Sequence, residues 1–187
     1  MVWVDLSVVL TAKRSSLNFV HRAAANAKLR IVVRDVEKEL TAERHAVKAR
    51  VLGDPVLRRF FEVFLFEDLP ASGRRADEVF LAEVDRCDVY VGLFGESYGF
   101  EDAAGVSATE REFDRATATG KERLVFVRGG SDEGRQPKMR TLIRKAGDQI
   151  VRRRFATVPE VLEWWGGSRA AQVPNKVAPD SEGGGRL

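Results

Sequence analysis

Asp88-Val89-Tyr90-Val91-Gly92-Leu93-Phe94, residues 88–94, is the stretch on which the fold turns. After its leading acid it carries no charge, and β-branched and aromatic side chains dominate both of its alternating sets of positions. A strand that is apolar on both sets is covered on both faces, which is the signature of a central strand in a parallel sheet.

Working outward in both directions, apolar runs alternate with amphipathic stretches from about Leu29 onward. Leu29-Arg30-Ile31-Val32-Val33 reads as the first strand and Phe61-Glu62-Val63-Phe64-Leu65-Phe66 as the second. Between them a helix over 36–51 carries Val36, Leu40, Val47 and Val51 on one stripe, and Gly53-Asp54-Pro55 stops it. A loop over 67–72 leads to a helix through Glu83. Past the central strand come a loop to Val106, a helix over 107–119 and a fourth strand at Leu124-Val125-Phe126-Val127. A helix after Pro137, a short strand at Gln149-Ile150-Val151 and a helix over 158–165 complete the series. Five strands separated by helices require right-handed crossovers. The fold expected is therefore α/β: a three-layer Rossmann-like, flavodoxin-like sheet of five parallel strands in order 2-1-3-4-5. The domain expected spans 29–165. Residues 1–28 form an N-terminal extension, and 166–187, rich in Gly, Pro, Ser and Asn, read as a disordered tail.

The composition bounds the function. A chain of 187 residues with 32% charged and 44% hydrophobic residues suits one globular domain. No apolar run approaches the roughly 18–20 residues that span a bilayer, so no membrane partner is expected. The lone cysteine, Cys87, excludes an intramolecular disulfide framework and fits a cytoplasmic location. The net charge of +3 hides an uneven distribution. From Glu62 to Asp114 fourteen acids face four bases, whereas from Lys138 to Arg154 seven bases face one acid. The basic stretch ending Arg152-Arg153-Arg154 suits either a solvated face or a polyanion contact. The acidic middle disfavours a central phosphate-backbone groove.

Ser107-Ala108-Thr109-Glu110 fits a capping box, in which the serine hydroxyl takes the amide of residue 110 and the glutamate returns the bond. That start sets the helical phase. Thr109, Glu112, Phe113 and Ala116 then share the apolar face, while Arg111, Asp114 and Arg115 point away. Glu112 is thus a carboxylate on a buried face beside the C-terminal edge of the sheet, where open α/β sheets bind ligands. Such a group is hydrogen-bonded, paired with an arginine, or used in chemistry. Gly95-Glu96-Ser97-Tyr98-Gly99 matches the G-x-S-x-G pattern of hydrolase nucleophiles, but no helix follows at once, and both histidines precede the serine. It reads instead as a flexed loop that carries Tyr98 to the cleft mouth, where the ring could stack on a base or sugar. Glu43, on the stripe of the first helix, reads as half of an ion pair. Trp164-Trp165 reads as a packing patch. Two histidines and one cysteine make no zinc site, and no Gly-rich phosphate loop is present, so neither a metal nor a cofactor is expected.

Taken in order, Arg30-Ile31-Val32-Val33, Glu37-Lys38-Glu39-Leu40, Phe66-Glu67-Asp68-Leu69-Pro70-Ala71, Asp85-Arg86-Cys87-Asp88, Gly95-Glu96-Ser97-Tyr98-Gly99 and Thr109-Glu110-Arg111-Glu112-Phe113 resemble a bacterial family known as domain of unknown function 4062. The resemblance covers roughly residues 29–155. That family is similar to TIR domains and nucleoside 2-deoxyribosyltransferases. In the transferases a glutamate opening the equivalent helix attacks the sugar, and the resemblance gives that catalytic role to Glu112. It also implies ligand-binding roles for Arg34, Asp35, Gly95, Ser97, Tyr98 and Thr109. One departure stands out: Arg34-Asp35 occupies the place of a Ser-Ser pair, and Asp35 would repel a phosphate. Relatives often precede an AlbA domain in regulators described as RecG-like helicases, so the resemblance implies an isolated module of such a regulator. Its implied function is nucleotide-ligand sensing or protein interaction in signalling, defence or transcriptional regulation. Its implied partners are a nucleotide or nucleoside, a protein or a second copy, and DNA only through a domain outside this chain. The alternatives are an N-glycosidase acting on NAD or a nucleoside through Glu112, and a DNA-associated module using the basic triplet.

Overall fold

The computed structural model describes residues 28–36, 39–69, 73 and 75–166. The expectations for residues 1–27 and 167–187, and for the side chains of Trp164 and Trp165, lie outside the described residues.

Five parallel strands run in the order β2-β1-β3-β4-β5, as the sequence pattern predicts. They are β1 (Leu29–Asp35), β2 (Phe61–Phe64), β3 (Val89–Phe94), β4 (Glu122–Arg128) and β5 (Arg152–Phe155). The helices are α1 (Thr41–Gly53), the short α2 (Leu57–Phe60), α3 (Ala76–Arg86), α4 (Ala108–Ala118), α5 (Pro137–Gln149) and α6 (Val158–Gly166). Every residue of β3 is buried, because successive side chains go to opposite faces and both faces are covered. Tyr90 and Phe94 enter a core with Val32, Val84, Phe113, Val125, Val127, Met139, Leu142 and Ile143, which places α3, α4 and α5 on that side. Val89, Val91 and Leu93 join Ile31, Val33, Leu40, Val47, Val51, Phe126, Phe155 and Val161, which places α1 and α6 on the other. The result is three layers, helix on sheet on helix.

Several boundaries differ from the sequence reading, three of them for an identifiable local reason. The fifth strand is Arg152–Phe155 rather than residues 149–151; Gln149 closes α5, and the Ile150 amide still donates to the Ala146 carbonyl. As an edge strand, β5 needs only Phe155 as a buried anchor and tolerates three arginines, so hydropathy gives it no signal. The first helix begins at Thr41, not Val36, because the Asp35 carboxylate accepts the Leu40 amide (3.0 Å) and turns the chain there. The second strand ends at Phe64, where the Asp68 carboxylate takes the Leu65 amide (2.8 Å) and winds residues 66–68 into a 3-10 turn. Among the described residues no helix is long and apolar enough to cross a membrane.

Candidate functional site

The expected site residues do gather at one place, the C-terminal edge of the sheet, where β1 ends in Arg34-Asp35, β3 runs into Gly95–Tyr98, and α4 begins. The helical phase of α4 is the one its cap implies. Thr109, Glu112, Phe113 and Ala116 are buried, while Arg111 pairs with Asp102 (3.2 Å), Arg115 with Asp85 and Asp114 with Lys145.

Glu112 is 1% exposed, and both of its oxygens are taken by one guanidinium. Arg34 donates from Nε to Oε2 (2.6 Å) and from Nη2 to Oε1 (2.7 Å), the two-pronged geometry that a planar fork makes with a carboxylate. The guanidinium lies 4.5 Å from the Phe80 ring centroid and 5.9 Å from that of Phe66, and these two rings meet edge to face. Arg34 is therefore neutralised on one side and shielded from water by aromatic carbon on another. Burial pushes the Glu112 carboxyl upward, and the Arg34 charge opposes that shift. The Tyr90 hydroxyl, fully buried on the central strand, has no hydrogen-bond partner among the described residues.

The Asp35 carboxylate is buried and paired. The residue is 4% exposed, and its carboxylate accepts from Arg44 Nη1 as well as from the Leu40 amide. Arg44 also donates to Glu67 (2.5 Å). The Thr109 hydroxyl donates to the Asp35 carbonyl at 3.4 Å, which ties the start of α4 to the end of β1. The paired carboxylate expected at Glu43 is present, with Arg128 as its partner (3.1 Å).

Tyr98 is 3% exposed and packs in the core, so its ring has no open face at a cleft mouth. The hydroxyl also revises the expected capping box. Ser107 Oγ does accept the Glu110 amide (3.2 Å), but the Ser107 amide donates to Tyr98 Oη (3.3 Å) rather than to Glu110. The Glu110 carboxylate instead accepts from Tyr98 Oη (2.5 Å) and Lys145 Nζ (2.9 Å). Burial would raise the Glu110 carboxyl, but the Lys145 and Tyr98 hydrogen bonds outweigh it and hold the group below the ordinary range. The Tyr98 hydroxyl is pushed up by burial and by its bond to Glu110.

The loop after β3 turns its amides outward in succession. Glu96 N donates to Glu39 Oε1 (2.5 Å), Ser97 N to Glu39 Oε2 (3.2 Å) and Tyr98 N to Gln136 Oε1 (2.7 Å). The Gly95 carbonyl accepts from Arg135 Nη1, and the same buried guanidinium reaches the Arg128 carbonyl and Asp132 (3.0 Å). Sequence reasoning did not find Glu39, Arg44, Arg135, Gln136 or Lys145. Glu39 lies just ahead of α1 and Arg44 within it, Arg135 and Gln136 in the loop before α5 and Lys145 in α5, and only the fold brings them to this edge of the sheet. The one legible hint was Glu43-Arg44 on an apolar stripe.

A groove of about 590 Å³ lies elsewhere, between the end of α5 and the start of β5, lined by residues 147–152 and Arg154. None of the expected site residues lines it. Among the described residues no cluster of His, Cys, Asp or Glu could hold a metal ion.

Among the solved structures that this chain resembles, two of low identity illustrate the fold. The structure of Clostridium botulinum CMP N-glycosidase, BcmB, is similar at 15% identity and a TM-score of 0.46, covering 73% of this chain and 97% of that one. Oxidised flavodoxin 1 from Bacillus cereus is similar at 15% identity and a TM-score of 0.37, covering 72% of this chain and 93% of that one. No curated protein matches the sequence. The model of one family matches residues 36–164, and the chain accordingly belongs to the family described as domain of unknown function (DUF4062).

Proposed function

We propose that this domain is a TIR-like recognition module, which binds a nucleotide-derived ligand or a protein partner at the C-terminal edge of its sheet and catalyses no reaction there. One observation carries the choice between module and enzyme. A carboxylate that attacks an anomeric carbon, or steadies the cation forming there, must present an oxygen to the substrate. Glu112 presents none: it is 1% exposed, and Arg34 holds both oxygens at 2.6 and 2.7 Å. Its role in this reading is to join the end of β1 to the start of α4. Thr109 and Asp35 make a second tie between the same two elements. The basic triplet supports a DNA-associated reading less well, because Arg154 is committed to Asp132 and to the carbonyls of Gly129 and Ser131.

The test is a calorimetric titration of the full chain with NAD, nucleosides and cyclic nucleotides, alongside an assay for released base. Saturable binding without base release is the expected result. Base release that disappears in Glu112→Gln would replace the module with an N-glycosidase, and would mean that the Arg34 pair opens in the presence of substrate.

A further inference from the structure

The crevice between the C-terminal ends of β1 and β3 is the switch point of this sheet, because the chain leaves β1 for α1 on one face and leaves β3 for α4 on the other. Open α/β sheets take their ligands at such a crevice. Here a carboxylate of the chain itself occupies it. Glu39, just ahead of α1, sets one oxygen on the Glu96 amide and the other on the Ser97 amide. The carboxylate lies so close over Gly95 that a Cβ built there would fall inside it. Two consecutive amides converging on one anion, beside a residue with no side chain, form the kind of backbone concavity that binds phosphates and carboxylates in proteins.

The electrostatics around the seat favour an anion once Glu39 is discounted. Arg135, buried and donating to the Gly95 carbonyl, fixes a positive charge directly behind the loop. The nearby Asp35 is covered by Arg44, and Glu43 by Arg128. Asp132 is shared between Arg135 and Arg154. The remaining uncompensated acid of the loop, Glu96, is exposed to water, which screens it. Among the described residues no helix or strand partner claims the Glu96 and Ser97 amides, so a departing Glu39 would leave both to water. An incoming oxyanion would restore them.

We infer that the Gly95–Ser97 backbone is a seat for a phosphate-type oxyanion, and that the Glu39 carboxylate is a built-in competitor which a ligand must displace. This inference rests on the recognition reading above and deepens it, by naming the anionic end of the ligand and the residue that regulates its access. A tethered competitor works through its effective concentration, which for short connections is on the order of millimolar or higher. Weakly bound anions are excluded, and a ligand must bring further contacts to win the seat.

The experiment uses the full chain with nitrogen-15 labelled amides, titrated with inorganic phosphate at constant ionic strength. In Glu39→Ala, saturable shifts centred on the amides of Glu96 and Ser97 are expected, with an apparent affinity at least about tenfold above wild type. Adding Gly95→Ala to that variant puts a methyl group in the seat and should remove the response. Glu39→Gln, which keeps an amide oxygen for the same donors but no charge, should fall between wild type and Glu39→Ala. Equal responses in wild type and Glu39→Ala, or shifts confined to other residues, would overturn the inference. So would a Glu39→Ala that unfolds while Glu39→Gln folds and ignores phosphate, since Glu39 would then be a loop tether only. The two proposals fail separately. Phosphate binding at residues 96 and 97 with no nucleotide binding to any variant keeps the seat and removes the nucleotide ligand. Nucleotide binding that leaves those two amides unmoved does the reverse.

Discussion

Glu112→Gln is the substitution that separates a structural carboxylate from a catalytic one, and the two readings give opposite signs. The side chain keeps its size but loses its charge. Its amide can still accept one of the two Arg34 bonds, while its NH2 group now faces the other donor. The Arg34 side chain is 11% exposed and that of Glu112 1% exposed, so the guanidinium is left with little water to replace its counterion. Breaking a buried pair by removing one partner costs about 3–5 kcal/mol, much of it the penalty of the uncompensated charge that remains. Retention of one hydrogen bond places Glu112→Gln at the lower end, about 3 kcal/mol. Arg34→Met, which strands the carboxylate, belongs at the upper end. With a urea dependence of about 2 kcal/mol per molar, 3 kcal/mol moves the midpoint down by about 1.5 M. The assay is urea unfolding at neutral pH followed by tryptophan fluorescence and circular dichroism, for both single variants and for Arg34→Met with Glu112→Leu. Replacing both members of a buried pair by apolar groups is often neutral, so the double variant should be more stable than either single one. A catalytic carboxylate held in an unfavourable setting would instead give a protein of equal or greater stability on removal. A midpoint unchanged or raised in Glu112→Gln would refute the pairing argument and favour the glycosidase reading over the module.

Three further outcomes follow from the same structure. Tyr98→Phe removes the hydroxyl that serves Glu110 and the Ser107 amide together, and should cost about 1–3 kcal/mol in urea or thermal unfolding; an unchanged midpoint would mean that this junction does not hold the start of α4. Gly99→Ala places a Cβ on a residue at φ +89°, 3.0 Å from Val36 Cγ1, and should cost about 1–2 kcal/mol, whereas Gly53→Ala, with nothing within 4 Å, should be neutral or slightly stabilising. Burial pushes the Cys87 thiol up to about 12, while the unfolded thiol ionises near roughly 8.5. Its contribution is fully present below the unfolded value and is lost as pH climbs toward the folded one, because only the unfolded chain then releases the proton. Wild type should therefore lose stability more steeply than Cys87→Ala between those limits, and the folded thiol should resist iodoacetamide at pH 8; parallel pH slopes would contradict this.

The sheet was legible in the sequence because burial on two faces leaves a mark at every position. Residues 89–94 carry no charged side chain, and the flanking helices carry their apolar residues at helical spacing, so strand order and layering follow from general chirality. The inward aim of Glu112 was legible too, since the Ser107 cap sets the phase of α4. Periodicity reports only which way a side chain points. Whether Glu112 would meet a ligand or an arginine depended on what stood across from it, and Arg34 lies 78 residues away on another element. The same holds for Asp35, which looked hostile to a phosphate until Arg44 came to cover it, and for Tyr98, whose hydroxyl turned inward to Glu110. Local pattern determined the scaffold, because backbone hydrogen bonding and hydrophobic burial act along the chain with fixed periods. Tertiary structure alone decided the partnership of each charge, because electrostatic pairing acts through space and carries no period in the sequence.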